Sequence, residues 1–183
     1  MGDRIGAVTR RPIALAALVV SLALAVGASA LAGSTRSSAD PGVTPTSILL
    51  GGTVPLSGVA SAYSAVAVGA SAYFKYVNAR GGVNGRRIDY TYLDDAYNPA
   101  NTIQLTRKLV EQDKVFAIFN TLGTETNLAI RPYLNQLKVP QLFAASGDTS
   151  FGADVATYPQ TIGFFPSYQA EGWIYGKYLA RTM

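Results

Sequence analysis

From residue 47 onward, short apolar runs alternate with longer stretches whose apolar positions recur at helical spacing. Ile48 to Val54, Ile88 to Leu93, Val115 to Phe119 and Gln141 to Ala144 read as buried strands, because short apolar runs bounded by turn residues suit strands covered on both faces. A helical pattern follows each. The first spans roughly Ala60 to Ala79, with Val66, Tyr73, Phe74 and Val77 inward, Gly81-Gly82 as a left-handed stop and Asn84-Gly85 as the turn into the next strand. The second opens with Asn98 as cap and Pro99 in the first turn, where a proline sacrifices no hydrogen bond, and runs to about Gln112 with Ile103, Leu109 and Val110 inward. The third occupies about Thr126 to Leu137. A helix between successive strands makes βαβ units, so the fold class is α/β: a parallel sheet flanked by helices, with right-handed crossovers.

The chain before this region has a different pattern. Arg4, Arg10 and Arg11 precede an unbroken apolar stretch, Ile13 to Val26, and Ala28-Ser29-Ala30 offers a small-residue cleavage site. Residues 1–32 therefore have the layout of a secretory signal peptide, which predicts export to the periplasm, cell surface or extracellular space. An uncleaved membrane anchor from Pro12 to Ala32 is the rival reading. Leu31-Ala32-Gly33-Ser34 is like a lipoprotein cleavage box with serine in place of the lipid-bearing cysteine, so no thioether anchor can form there. Thr9-Arg10-Arg11 hints at twin-arginine export, and the route stays open. Residues 33–46, rich in Ser, Thr, Pro and Gly without an apolar period, read as a flexible linker.

Composition then removes whole classes of chemistry. The chain has no cysteine and no histidine, which excludes disulfides, thiolate nucleophiles, imidazole bases and nearly all zinc, copper and haem ligation. No Ser-His-Asp triad can be assembled. Without Asp3, Arg4, Arg10 and Arg11, twelve basic and ten acidic residues remain. The small excess, with no basic stripe, predicts no nucleic-acid partner.

In open parallel sheets ligands bind beyond the carboxyl ends of the strands, which selects the loops Pro55 to Tyr63, Asp94 to Asn98, Asn120 to Thr126 and Ala145 to Thr157. In the first, Pro55-Leu56-Ser57-Gly58 bends off its strand and offers a hydroxyl and an approachable backbone before a helix. An anion fits such a place, and so does a plain βα turn capped by Ser57 or Ser61. The dinucleotide and P-loop fingerprints are missing, which disfavours a nucleotide phosphate and leaves a carboxylate as the better guest. Asn120-Thr121-Leu122-Gly123-Thr124 and Ala145-Ser146-Gly147-Asp148 have the same character, and three such loops at one sheet edge argue for a shared polar ligand site. Asp94-Asp95 is not read as a metal or base pair, since adjacent strand-end residues point to opposite sides; one of the two aspartates is read as capping or bracing the loop to Asn98. Tyr97 is placed to close over the site.

The combination ILLGGTVPLSG, GGVNGRRIDYTYLDDAYNPANTIQLTRKLVEQDKVFAIFNTLGT and VPQLFAASGDTSFGADVATYPQTIGFFPSYQAEG resembles the branched-chain amino-acid (leucine/isoleucine/valine) type of ABC-transporter substrate-binding protein, with the type I periplasmic binding fold. The resemblance implies a two-lobed receptor that closes on an amino acid or related small carboxylate and delivers it to ABC-transporter membrane subunits, with no cofactor and no catalytic residue. Carried over by position, Ser57 and Gly58 match the first ligand loop and Tyr63 a ligand-covering aromatic, Leu122, Gly123 and Thr124 match the second loop, and Ala145, Ser146 and Gly147 the third. The same resemblance makes 47–165 the first lobe, with Thr161 to Phe165 as the strand leading to the hinge. Residues 166–183 become the crossover and first helix of a second lobe that is largely missing. The expectation is therefore a truncated fragment with weak or no binding. A ligand-sensing receptor ectodomain with the same fold and an α/β enzyme are the alternatives.

Overall fold

The computed structural model describes Gly2 and residues 40–183. The expected signal peptide and most of the expected linker lie outside the described residues. Five parallel strands form one sheet: β1 (Ser47–Val54), β2 (Arg87–Asp94), β3 (Ala117–Phe119), β4 (Gln141–Ala144) and β5 (Thr161–Gly163), in the order β2-β1-β3-β4-β5. Helices α1 (Ala65–Asn78), α2 (Pro99–Arg107), α3 (Thr124–Gln136), the short α4 (Ser150–Ala153) and α5 (Tyr168–Thr182) alternate with them. The α/β expectation holds, and the local signals that predicted it act as supposed. The Asn98 side chain accepts the Ala100 N–H at 2.9 Å with Pro99 in the first turn. Asn84 and Gly85 take positive φ between Val83 and Arg86, whose backbones pair.

The two faces of the sheet are filled differently. On one, Ile118 of β3 packs with Leu109, Val115, Ile130 and Leu134, all buried, each such side chain contributing about 1.5–3 kcal/mol by leaving water. On the other, α1 lays Phe74 edge-on against Tyr90 and Phe119, with ring centres 5.5 and 5.2 Å away. This aromatic layer continues from Phe119 to Phe143 and on to Phe164.

Several expectations are corrected. Tyr73 does not face inward; it is exposed and stacks on Tyr76. Ile103 is also exposed, and α2 turns in Thr102 and Thr106 instead, because the Thr102 hydroxyl donates to Asp95 Oδ2 at 2.9 Å and to Asn98 O at 3.0 Å. A π turn over Lys108–Gln112 then brings Leu109 into the core. The flexible linker does not extend through residues 40–46: Val43 pairs with Ile48, Leu49 donates to Gly42 O at 2.7 Å, and Thr44 Oγ1 accepts the Ser47 N–H at 2.8 Å. Folded chain therefore begins ahead of Ser47. Helix α5 has no buried residue, and Trp173, Ile174, Tyr178 and Leu179 all lie in solvent.

Candidate ligand-binding edge

Strand β1 sits between β2 and β3, so the chain runs outward in both directions from it, and the crevice of such a sheet opens where β1 and β3 end. The loop after β3 is gripped from all sides. Leu122 N–H donates to Thr53 O at 3.2 Å, tying it to β1. Toward β4, Leu122 pairs with Ala145, Gly123 N–H donates to Ala145 O at 3.2 Å, and Ala145 N–H donates to Thr121 O at 3.0 Å. Its three carbonyls are also held from the interior. Asn127 Nδ2 donates to Thr121 O and Gly123 O at 2.7 and 2.6 Å, and the Thr126 hydroxyl donates to Leu122 O.

This scaffold brings together six of the residues expected at the site: Leu122, Gly123, Thr124, Ala145, Ser146 and Gly147. Thr124 Oγ1 and Ser146 Oγ are 2.6 Å apart, and Ser146 Oγ also accepts the Asp148 N–H at 3.1 Å. Gly123 bends the chain at φ +106°, where a Cβ would lie 2.6 Å from the Tyr97 ring and 2.7 Å from Thr126 Oγ1. Tyr97 covers this point, its hydroxyl 3.4 Å from Glu125 Oε2. Burial first, and then the Glu125 carboxylate, push the Tyr97 phenol above its ordinary range. The Thr124 N–H approaches the same hydroxyl. A little further on, the Tyr168 ring packs against Gly147 and its N–H donates to Gly147 O at 2.7 Å. Between this loop and β5 a pocket of about 240 Å³ is lined by Ser146, Asp148, Phe151, Ile162, Phe164 and Ser167, among others.

The first loop has a different state. Asp94 Oδ1 accepts the N–H groups of Leu56, Ser57 and Ala96 at 2.8, 3.2 and 2.9 Å. The Ser57 hydroxyl and these amides together hold the Asp94 carboxyl below its ordinary value. The amides expected to receive an outside anion thus face the protein's own carboxylate. Ser57, Gly58 and Tyr63 are exposed, and among the described residues no hydrogen bond joins them to Thr124 or Ser146. The Asp94–Asn98 loop connects the two regions, bracing one through Asp94 and touching the other through Tyr97. Asp95, buried, accepts Tyr97 N–H at 3.0 Å as well as the Thr102 hydroxyl, so both aspartates brace, where one was expected to. Sequence reasoning missed Tyr168 and Asn127. Only the second left a trace, as one of several polar residues opening a helix directly after a glycine.

A family model described as periplasmic binding protein matches residues 47–183. Among curated proteins, an "Amino acid binding protein" from Pseudomonas aeruginosa is 40% identical over 50 residues, 27% of this chain and 13% of that protein. Among solved structures, a possible leucine/isoleucine/valine-binding protein from Rhodopirellula baltica superposes with a TM-score of 0.67 at 24% identity, covering 77% of this chain and 38% of its own. A branched-chain amino acid ABC transporter protein from Thermus thermophilus with bound valine gives 0.63 at 24% identity, covering 76% and 36%. The chain therefore spans less than two fifths of the length of these structures.

Proposed function

Because the chain belongs to the periplasmic binding protein family, whose members bind solutes outside the cytoplasm, we propose that it forms one wall of a site for an amino acid or related small carboxylate. The solute passes from there to ABC-transporter membrane subunits. The observation that carries the reading is the paired hydroxyls of Thr124 and Ser146, 2.6 Å apart, at the mouth of the sheet's switch point. Hydroxyls and a helix-start amide favour a carboxylate, and Glu125 beside Tyr97 offers a negative group to an ammonium. The neighbouring pocket, of mixed lining with Phe151, Ile162 and Phe164 as its apolar part, accommodates a side chain. Ser57, Gly58 and Tyr63 form the outer rim, and residues 166–183 begin the crossing toward an opposing lobe. Export by the N-terminal leader agrees with this role. The amino-acid-binding relative in Pseudomonas aeruginosa supports the choice of solute.

Receptors that close two lobes on a ligand draw affinity from both, so one wall by itself is expected to bind weakly, with a Kd on the order of 1 mM. Titration of the full chain with leucine, valine, phenylalanine and benzoate, followed by amide chemical shifts, tests the proposal. Saturable shifts at Gly123, Thr124, Ser146 and Gly147 with at least one of these acids are expected. Flat spectra with all four overturn it.

A further inference from the structure

Behind the Thr121–Thr124 loop lies a chain of buried polar side chains that the ligand-binding reading does not use. Asn127 and Gln141 are fully buried, and Thr161 nearly so. Gln141 Nε2 donates to Asn127 Oδ1 at 2.9 Å, and the Thr161 hydroxyl donates to Gln141 Oε1 at 2.9 Å. Thr161 Oγ1 in turn accepts Asn135 Nδ2 at 2.9 Å. The orientation of Asn127 is fixed by its neighbours: its oxygen faces the Gln141 amide, so both of its N–H groups must point at the carbonyls of Thr121 and Gly123. Three polar side chains in so dry a place, with the half-buried Asn135 beside them, are costly unless every donor and acceptor is matched. Two aliphatic residues would fill the same volume without that demand.

We infer that Asn127, held by Gln141, is a positioning residue that aims the Thr124 N–H and hydroxyl into the crevice. The inference rests on the reading of this edge as a ligand wall. The physical step is short. A trans peptide is planar, with its N–H antiparallel to its C=O. Drawing Gly123 O inward therefore turns the Thr124 N–H outward, toward the crevice side where the Tyr97 hydroxyl stands. A neutral carboxamide suits this task because it pulls two carbonyls at once without placing a charge behind the site. The relay also ends on β5 at Thr161, so the strand that leads to the crossover and the loop that meets the ligand share one network.

Asn127→Asp tests this, since it keeps the shape and the acceptor but leaves an anion facing two carbonyls. At pH 7.5 the variant of the full chain should bind the best-shifting acid about tenfold more weakly than wild type, with the Gly123 and Thr124 amide resonances displaced. The introduced carboxyl is buried among acceptors, so its pKa rises. On acidification it regains a proton to donate, and both affinity and resonances should move back toward wild type. Asn127→Leu should stay weak at every pH, a difference that a merely structural role would not produce. Gln141→Met, which removes the hold on Asn127 without burying a charge, should weaken binding about threefold and shift the same amides; it decides the matter if Asn127→Asp does not fold. Wild-type affinity and unmoved amides in the folded variants overturn the inference. So does a loss in Asn127→Asp that acidification leaves unchanged. If wild type itself binds none of the acids, the proposed function fails, and the pH-dependent return of the Gly123 and Thr124 resonances in ligand-free Asn127→Asp still upholds or overturns the positioning role.

Discussion

The loops after β1 and β3 approach the same crevice with similar residues, glycine and hydroxyls ahead of a helix, yet they are held in opposite ways. In the β1 loop a carboxylate stands in front of the amides, with Asp94 Oδ1 taking the N–H groups of Leu56 and Ser57. In the β3 loop a neutral amide stands behind, with Asn127 drawing the carbonyls of Thr121 and Gly123 inward. An internal anion satisfies a loop and closes it to outside anions. An internal donor satisfies the opposite pole of the Gly123–Thr124 peptide and leaves its N–H side to the crevice, while the Leu122 N–H is taken by Thr53 O. Two stretches that look alike as strings therefore differ in function through which end of their peptides the protein has already bonded.

The contrast can be broken most sharply at the hydroxyls. Thr124→Val combined with Ser146→Ala should reduce carboxylate affinity about 100-fold, enough to abolish the titration, whereas Ser57→Ala should change it by less than about threefold, because the Ser57 polar groups serve Asp94. Equal losses from the two changes would erase the distinction between the loops. The glycines give the next largest effect. Gly123→Ala places a methyl against Tyr97 and Thr126 at φ +106° and should cost about 3 kcal/mol in thermal or urea unfolding. Gly58, at φ +79°, has no atom nearer than 3.5 Å to its added Cβ, so Gly58→Ala should cost only about 1 kcal/mol.

The smallest effect is in pH. The folded Asp94 carboxyl lies below its unfolded value of 3.8, so the brace contributes in full above that value and is lost as pH falls through the lower folded one. Amide exchange at Leu56, Ser57 and Ala96 should accelerate on acidification below 3.8 while Gly123 holds. Asp94→Asn should remove the pH dependence. Acceleration of equal size at Gly123 would show that the two loops share one brace.

Much of this was legible in the chain. Continuous apolar runs marked β1 and β4, and the topology rule for parallel sheets selected the loops; β2, expected as a buried strand, is instead an edge strand whose residues alternate between exposed and half-buried. The phase of α2 was not legible. Thr102 goes inside because its hydroxyl reaches Asp95 across the loop, a contact that hydrophobic spacing cannot express, and Thr106, one turn on, shares its face. Nor was the role of Asp94, since its partners Leu56 and Ser57 lie 38 and 37 residues earlier. The Asn127 relay joins α3, β4 and β5, and beyond the polar helix start at Asn127 its local sign was a glutamine, Gln141, opening a run that was otherwise apolar. Whether Ser57 or Thr124 turned its backbone outward depended on such distant partners, so the string could name both loops and not rank them.

Gly52, two residues before the end of β1, has no room for even one more carbon: a Cβ there would meet Phe119 O at 2.6 Å and Tyr90 Oη at 2.6 Å. A methyl at this position would act as a wedge. The phenol could swing aside, but the carbonyl belongs to β3 and could yield only by carrying its strand away. One residue further, Thr53 N–H and its hydroxyl reach Thr121 Oγ1 at 3.3 and 3.4 Å, the seam that keeps the floor of the crevice shut. A bare α-carbon in the centre of the sheet thus sets how far apart the two rims stand.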